Sequence, residues 1–429
     1  MSSKRRHAGE VQESRGQGSH QKRFKGVQSH VCNNEKMHPR SKHHEAPDYF
    51  VLADKYPDFK PFVYRNRFGS ASIDYKDAAA LRALSRCLLK EYYGLEWSLP
   101  ESFLCPPVPT RANYIHEVAD LLAVKEAGGG AEQKGGAGET TRVDQEEKDD
   151  EDERKKNLIP PRGPQICGLD VGVGANCIYA LLGAASYGWT FVGSDISSDA
   201  IGAAQKNVDA NGLGERIRLR LQKDRTKIFE GVLTPGDTFA FSMCNPPFHE
   251  SLESAGVNPA RVLEGQDGEL ACEGGESGFI RRMIRESFSY CQQIIWFTSL
   301  VARLSTLKSL RQLLGSPESL RELLREGAET QGGGQVEGLE ERLPSVKETR
   351  VVTLHQGKQT RWVIAWTFMD SFKREAILGS LGSSSSSSVS EEKEEKGESK
   401  DEEDSSACVQ QDREGETKQN PSDSNSEPA

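Results

Sequence analysis

Four consecutive residues, Asn245-Pro246-Pro247-Phe248, form the part of this sequence most suited to chemistry on a nucleobase. They directly follow FAFSMC, an apolar segment that predicts a buried strand. The amide oxygen of Asn245 and the carbonyl of Pro246 could hold both hydrogens of an adenine amino group, which would aim its lone pair at an electrophilic carbon. The two prolines stiffen the loop, and Phe248 offers an aromatic face for an unstacked base. The pattern therefore indicates transfer to an exocyclic nitrogen, with a proline-rich surface turn as the alternative.

A glycine-rich turn at residues 168–175 could bind a cofactor for this chemistry. Its sequence, GLDVGVGA, follows a predicted strand and opens a predicted helix, so Gly172 and Gly174 would let a ligand approach the backbone. Asp195 ends the next predicted strand, where a carboxylate can accept hydrogen bonds from both ribose hydroxyls of a nucleoside cofactor. Because the GxGxxG spacing is absent, a nucleoside cofactor such as S-adenosylmethionine fits better than a dinucleotide. The glycines alone leave open another nucleotide-binding fold or a structural turn.

Two arginines, Arg281 and Arg282, lie on a predicted helix that follows a glycine pair. They could contact phosphates or belong to a solvated helix face, and the sequence favours neither. Cysteines and histidines near the N-terminus lack zinc-like spacing, so we predict no metal.

The elements that must position these residues follow from hydrophobic periodicity. Residues 165–212 alternate strand, glycine turn, helix, strand and helix, which predicts an α/β fold with a Rossmann-like parallel sheet covered on both faces. The last two predicted strands are separated by only QGKQT and favour an antiparallel edge. Upstream, apolar residues at helical spacing in 77–93 and 111–124 predict a small helical N-terminal module. Its connector, SLPESFLCPPVPT, is predicted to be extended because its prolines lack amide donors.

Charge and composition divide the chain into segments. The net charge of −10 is concentrated in residues 125–156, which carry −4, and 383–429, which carry −9. Residues 1–44 hold 10 basic residues against 3 acidic ones. We predict a disordered basic arm, a helical module, a charged glycine-rich insertion, an α/β domain and a disordered serine-rich acidic tail, at residues 1–36, 37–124, 125–163, 164–372 and 373–429.

Sequence features also restrict the compartment. The nine cysteines are scattered without a CxxC pair, which favours a reducing compartment. No apolar run reaches the roughly 18 residues of a membrane span. We expect an intracellular protein with no membrane partner, in the nucleus or alternatively in the cytoplasm or an organelle.

The chain resembles the methyltransferase family that contains the bacterial 23S ribosomal RNA adenine N6-methyltransferase and the eukaryotic enzyme acting on U6 spliceosomal RNA. The similarity covers about residues 37 to 370 and rests on the segments MHPR, YPDFKPFV, LCPPVPTRANYIHEVADLL, CNPPFHES, CEGGESGFIRRMI and QGKQTRWVIAWTF. The resemblance implies S-adenosylmethionine as cofactor, and it implies that the residues contacting it are Arg111, Gly172, Asp195, Thr226 and Asn245. It also implies that residues 164–372 are a class I methyltransferase domain, and that the N-terminal module, residues 37–124, contains an RNA-binding groove with His38 and Arg40.

These features together predict a methyltransferase that forms N6-methyladenosine in a structured RNA, either large-subunit ribosomal RNA or U6 RNA. We expect a monomer. Two alternatives remain at this point. The Asn-Pro-Pro-aromatic loop also suits a protein glutamine or a DNA adenine, and the chain could be a noncatalytic RNA-binding protein that senses S-adenosylmethionine.

Overall fold

A computed structural model of the chain describes residues 37–123, 155, 157–248, 272–330, 344–356 and 359–383. Two short strands near the N-terminus, β1 (Tyr64–Arg65) and β2 (Ala71–Ser72), pair as a hairpin. Seven further strands form one sheet: β3 (Cys167–Val171), β4 (Thr190–Asp195), β5 (Ile217–Leu221), β6 (Phe239–Cys244), β7 (Ile294–Val301), β8 (Glu348–Gln356) and β9 (Gln359–Thr367).

The sheet has the strand order β5-β4-β3-β6-β7-β9-β8. Strands β3 to β7 pair in parallel, whereas β9 is antiparallel to both β7 and β8. The predicted Rossmann-like sheet with an antiparallel edge is thus confirmed. The direction of chain progression reverses between β3 and β6, and such a switch point leaves a crevice at the carboxyl ends of the strands.

Helices cover both faces of this sheet. They are α1 (Tyr49–Lys55), α2 (Ala78–Tyr93), α3 (Val108–Leu122), α4 (Ile178–Tyr187), α5 (Ser198–Ala210), α6 (Gly275–Ser287), α7 (Leu304–Gly315), α8 (Pro317–Thr330) and α9 (Ser371–Ser383). Residues of α2 to α5 form one apolar cluster with the sheet, and residues of α6 to α8 form a second. Every residue of β6 and β7 is buried, and burial on both faces explains why these strands are mostly apolar.

Local sequence signals define the ends of α2. The carboxylate of Asp77 accepts a hydrogen bond from the Ala79 amide at the start of the helix, and Gly94 ends it with a φ of 70°. The sequence predicted that the next helix begins at Arg111. The helix α3 instead begins at Val108, so the predicted extended connector is too long. Pro109 is accommodated because the first helical turn needs no intrahelical amide donor.

The N-terminal module packs directly against the sheet. The Tyr114 hydroxyl of α3 lies 2.8 Å from the Thr298 hydroxyl in β7, and the Trp97 indole donates a 2.9 Å hydrogen bond to the Asn176 carbonyl. Both side chains are buried. The module and the sheet therefore share one core, and α3 brings its residues to the carboxyl ends of the strands.

Ordered structure extends past two of the predicted boundaries. The helix α9 lies largely within residues 373–429, which the sequence assigned to a disordered tail; Leu378 is buried and Arg374 pairs with Glu348. Within the predicted insertion at 125–163, the Pro161 carbonyl accepts a hydrogen bond from Trp189, which ties this segment to the sheet. The predicted basic arm at 1–36 lies outside the described residues, as do 124–154 and 384–429.

Candidate active site

A cavity of about 700 Å³ lies at the sheet's switch point. Its walls come from the segments that follow three adjacent strands: Gly172 and Gly174 after β3, Asp195 at the end of β4, and Asn245 after β6. The helix α3 adds Arg111. The sheet topology and the position of α3 thus bring together candidate residues that are up to 134 positions apart in the sequence.

The glycine turn forms one wall of this cavity. Gly172 and Gly174 have φ values of 73° and 62°, in the left-handed region that favours glycine. The Gly172 and Val173 amides both donate to the Ser194 carbonyl, at 2.8 and 2.9 Å, which holds the turn against β4. A methyl group at position 172 would meet no protein atom within 4 Å. The turn therefore leaves open space where a ligand can lie against the backbone.

Asp195 is held by the same turn. One carboxylate oxygen accepts a 3.0 Å hydrogen bond from the Gly174 amide, and the other accepts a 2.9 Å bond from the Ser197 amide. Burial raises the pKa of Asp195, and the backbone donors oppose this increase because they stabilise the anion. The fixed carboxylate has remaining lone pairs for ribose hydroxyls.

Below the cavity, Asp170 in β3 is fully buried and neither carboxylate oxygen has a hydrogen-bond partner among the described residues. Burial, together with the smaller effect of the nearby Asp195, raises the pKa of Asp170 to about 8 although Arg111 opposes the increase. The Asp170 carboxyl is therefore protonated and neutral at pH values well below its pKa of about 8. Sequence reasoning did not single out this residue, because its environment depends on α3.

The loop after β6 forms the opposite wall. Asn245, Pro247 and Phe248 line the cavity, whereas Pro246 is buried and does not line it. An Arg111 guanidinium nitrogen lies 3.5 Å from the Asn245 amide oxygen, and the Arg111 guanidinium lies 5.7 Å from the centre of the Tyr179 ring. Arg111 thus orients the amide of Asn245. A role for the Pro246 carbonyl stays a prediction.

Thr226 lines the cavity on a loop after β5. Its amide and hydroxyl both donate to the Asp224 carboxylate, at 2.8 and 2.7 Å. The next part of the loop is fixed by Glu286 of α6, whose carboxylate accepts hydrogen bonds from three consecutive amides, Ile228, Phe229 and Glu230, at 2.8 to 3.3 Å. Sequence reasoning missed Glu286, since no local signal links it to a loop 56 to 58 residues away.

The structure separates the two arginines of α6. Arg282 lines the cavity and its guanidinium lies 5.7 Å from the Phe279 ring centre. Arg281 does not line the cavity and lies 3.7 Å from Glu326. Contact with RNA phosphates stays a prediction for both, and Arg282 is the one placed at the site.

His38 and Arg40 belong to a buried ionic network. The His38 ring accepts the Arg40 amide at Nδ1 and therefore donates through Nε2 to Asp120, at 3.1 Å. Arg40 pairs with the same carboxylate, and Lys155 contacts both oxygens of Glu117. The contact of His38 with RNA stays a prediction, and in this structure its side chain is 0% exposed and belongs to the network. The Arg40 side chain is 18% exposed and also serves this network.

This network contains three potential metal ligands, His38, Glu117 and Asp120, whose ligand atoms lie within 4.8 Å of one another. Both carboxylates already have cationic partners in Arg40 and Lys155. The network is thus satisfied as an ion-pair cluster.

None of the helices in the described part of the chain has the length and apolar character of a membrane span.

A glycine turn, a carboxylate held by backbone amides and an Asn-Pro-Pro-Phe loop around one cavity of a class I sheet are the features of an S-adenosylmethionine-dependent methyltransferase. Similarity to known proteins agrees with this class. An RNA methyltransferase family model matches residues 31–136 and 152–319. The ribosomal RNA large subunit methyltransferase F of Pseudomonas savastanoi pv. phaseolicola is 36% identical over 356 residues, which cover 79% of this chain and 91% of that protein. The same-named protein of Pectobacterium carotovorum is 37% identical over 353 residues, or 79% and 94%.

Solved structures give the same result. The human METTL16 catalytic domain in complex with MAT2A 3′UTR hairpin 1 superimposes with a TM-score of 0.58 at 30% identity, covering 78% of this chain and 96% of that one. The N-terminal domain of human METTL16 in complex with SAH gives 0.53 at 28% identity, with coverage of 78% and 99%. The chain belongs to this family of RNA methyltransferases, and its cofactor is S-adenosylmethionine.

Proposed function

We propose that this protein methylates the exocyclic N6 of an adenine in a structured RNA. The observation that carries the proposal is that Asn245, Pro247 and Phe248 line the same cavity as Gly172 and Asp195. An amino group held at Asn245 would therefore face a cofactor bound against the glycine turn.

The cavity residues fit S-adenosylmethionine. Asp195 would accept hydrogen bonds from its ribose, the backbone at Gly172 would lie beneath it, and Thr226 would lie beside its adenine. Bound there, S-adenosylmethionine supplies an electrophilic methyl group on a sulfonium ion. Arg111 would contact the cofactor while it continues to orient Asn245.

Asn245 would act by orientation and electrostatics. The lone pair of adenine N6 is delocalised into the ring, so this nitrogen is a weak nucleophile. The Asn245 amide oxygen can accept one N6 hydrogen while Arg111 polarises the same oxygen. Phe248 would stack on the flipped base. The N6–methyl bond would form as the methyl–sulfur bond of the sulfonium breaks, and the amino proton would then pass to water, so Asn245 would need no general base beside it beforehand.

Large-subunit ribosomal RNA is the substrate we propose first. Relatives at 36 to 37% identity are named as ribosomal RNA large subunit methyltransferases, and they align over more than nine-tenths of their length. The solved relatives bound to an RNA hairpin are less similar, at 30% identity. U6 RNA is the alternative substrate, and a nuclear location stays a prediction.

The test is a transfer assay with radiolabelled S-adenosylmethionine and four separate acceptors: large-subunit ribosomal RNA, U6 RNA, DNA and total protein. Nucleosides from labelled RNA are then separated by mass. We expect N6-methyladenosine in ribosomal RNA. Label in DNA or protein alone would overturn the proposal, and so would RNA binding without any transfer, which a noncatalytic sensor predicts.

A further inference from the structure

The hairpin formed by β1 and β2, residues 64–72, projects large side chains into solvent. Phe68 at its tip is 76% exposed and Tyr64 is 50% exposed. The Arg67 guanidinium lies 4.6 Å from the Phe68 ring centre, and that of Arg65 lies 4.8 Å from the ring of Phe50. The sequence of this basic hairpin, YRNRFGSAS, contains two arginines and no acidic residue.

Hydrogen bonds make the tip of the basic hairpin rigid. The Asn66 side-chain oxygen accepts from the Phe68 and Ser70 amides at 2.9 and 3.1 Å, and the Asn66 amide donates to the Ser70 carbonyl at 2.9 Å. Gly69 has a φ of 83°, as this turn requires, and its carbonyl accepts the Arg65 guanidinium at 2.5 Å. The fixed turn thus presents Phe68 outward, and a ring that is 76% exposed adds little apolar burial to the fold.

We propose that the basic hairpin is an RNA-binding element in which an unpaired base stacks on Phe68 while Arg67 contacts a neighbouring phosphate. This inference rests on the proposed function and adds a second point of contact for the substrate outside the catalytic cavity. An aromatic ring with an adjacent arginine suits single-stranded nucleic acid, because every base has a face that can stack and every nucleotide has a phosphate. The absence of acidic residues in 64–72 favours a polyanion over a basic protein surface.

Stacking and phosphate contact predict different signatures. A stacked base requires an unpaired nucleotide, so Phe68 should matter for a loop and not for a duplex. Loss of an arginine that contacts a phosphate should weaken binding to all sequences alike and reduce the salt dependence of binding.

The experiment compares binding of the full-length protein to two fluorescein-labelled RNAs of equal length, a stem-loop with an unpaired adenosine-rich loop and a fully paired duplex. We expect Phe68→Ala to weaken stem-loop binding by roughly 5- to 50-fold and to leave duplex binding unchanged. Phe68→Tyr, which keeps the ring, should bind as the wild type does. Arg67→Gln should make the plot of log affinity against log salt concentration shallower, reducing the magnitude of its slope by about 0.7. The matched control is Phe372→Ala, since Phe372 is 82% exposed on α9.

A second readout reports stacking directly. Four of the five tryptophans, Trp97, Trp189, Trp296 and Trp366, are buried, so Phe68→Trp adds an exposed fluorophore. Its emission should be quenched by the stem-loop and not by the duplex. Equal quenching by both RNAs, or equal stem-loop affinity of Phe68→Ala and wild type, would overturn the proposal. Neither readout depends on methyl transfer. A wild-type protein that methylates RNA without a Phe68 effect would therefore refute the hairpin proposal alone, and one that transfers no methyl group to RNA would refute the proposed function.

Discussion

Asp170 carries a carboxyl group that this fold buries without a partner among the described residues. Its pKa of about 8 lies far above the value near 3.9 of an unfolded chain. Between these two pH values the unfolded chain loses a proton that the folded protein keeps, so Asp170 makes the protein less stable as pH rises.

Asp170→Asn should remove this dependence, because an amide of the same shape does not ionise. We expect the variant to gain stability relative to wild type between about pH 4 and pH 8, by at most about 1.4 kcal/mol per pH unit. Urea unfolding of both proteins across this range measures the difference. Parallel pH profiles would show that Asp170 is already charged in the folded state.

The single substitution Asp195→Ala tests the assignment of the ribose site. Two backbone amides hold the carboxylate toward the cavity, so its removal should weaken S-adenosylmethionine binding by at least about 10-fold, as expected for charge-assisted hydrogen bonds. RNA affinity should not change. Calorimetric titration with cofactor measures the first and fluorescence anisotropy the second, and unchanged cofactor affinity would refute the assignment.

Single residues were predictable from the sequence where their role depends on position in a strand. Asp195 and Asn245 follow apolar strands, and parallel strands end at one edge, so their meeting was expected. His38 was not predictable in this way. Its burial depends on Asp120, 82 residues along the chain, and a local sequence pattern contains no information about that contact.

At the scale of elements, α6 fixes the loop that would bind the cofactor's adenine. The Glu286 carboxylate accepts hydrogen bonds from three backbone amides that have no strand partner. The side-chain amide of a Gln in its place would turn N–H donors toward these N–H donors. Glu286→Gln should therefore raise the KM for S-adenosylmethionine about 10-fold and leave the KM for RNA unchanged.

Steady-state kinetics with each substrate varied in turn measures this effect. The matched control is Glu322→Gln on α8, because Glu322 is exposed and does not line the cavity. Equal increases in both KM values would mean that Glu286 stabilises the fold in general and does not position this loop.

Element type was predictable because hydrophobic period distinguishes strands from helices, as the confirmed sheet shows. The residues at which elements begin and end were less predictable. The start of α3 was placed too late, because prolines were given weight as helix breakers although the first turn accepts them. The helix α9 was missed because its serine- and glycine-containing sequence resembles the tail that follows it, and contacts with Glu348 and the apolar core stabilise it.

For the whole molecule, the described fold ends with α9, so the acidic tail should be dispensable. Deletion of residues 384–429 should leave both methyl transfer and the midpoint of thermal unfolding unchanged. Deletion of residues 371–429 should destabilise the protein by about 2 kcal/mol or more, since it removes buried Leu378 and the Arg374 partner of Glu348. Thermal unfolding of the two truncated proteins distinguishes them, and identical midpoints would contradict the role given to α9.

We propose that Asn245 orients an adenine amino group toward the cofactor. Asn245→Ala tests it most directly when single-turnover methyl transfer to large-subunit ribosomal RNA is measured with S-adenosylmethionine and RNA both saturating. We predict loss of transfer by a factor of at least about 100, with RNA affinity largely kept. A variant that still forms N6-methyladenosine at a rate near that of wild type would contradict the account.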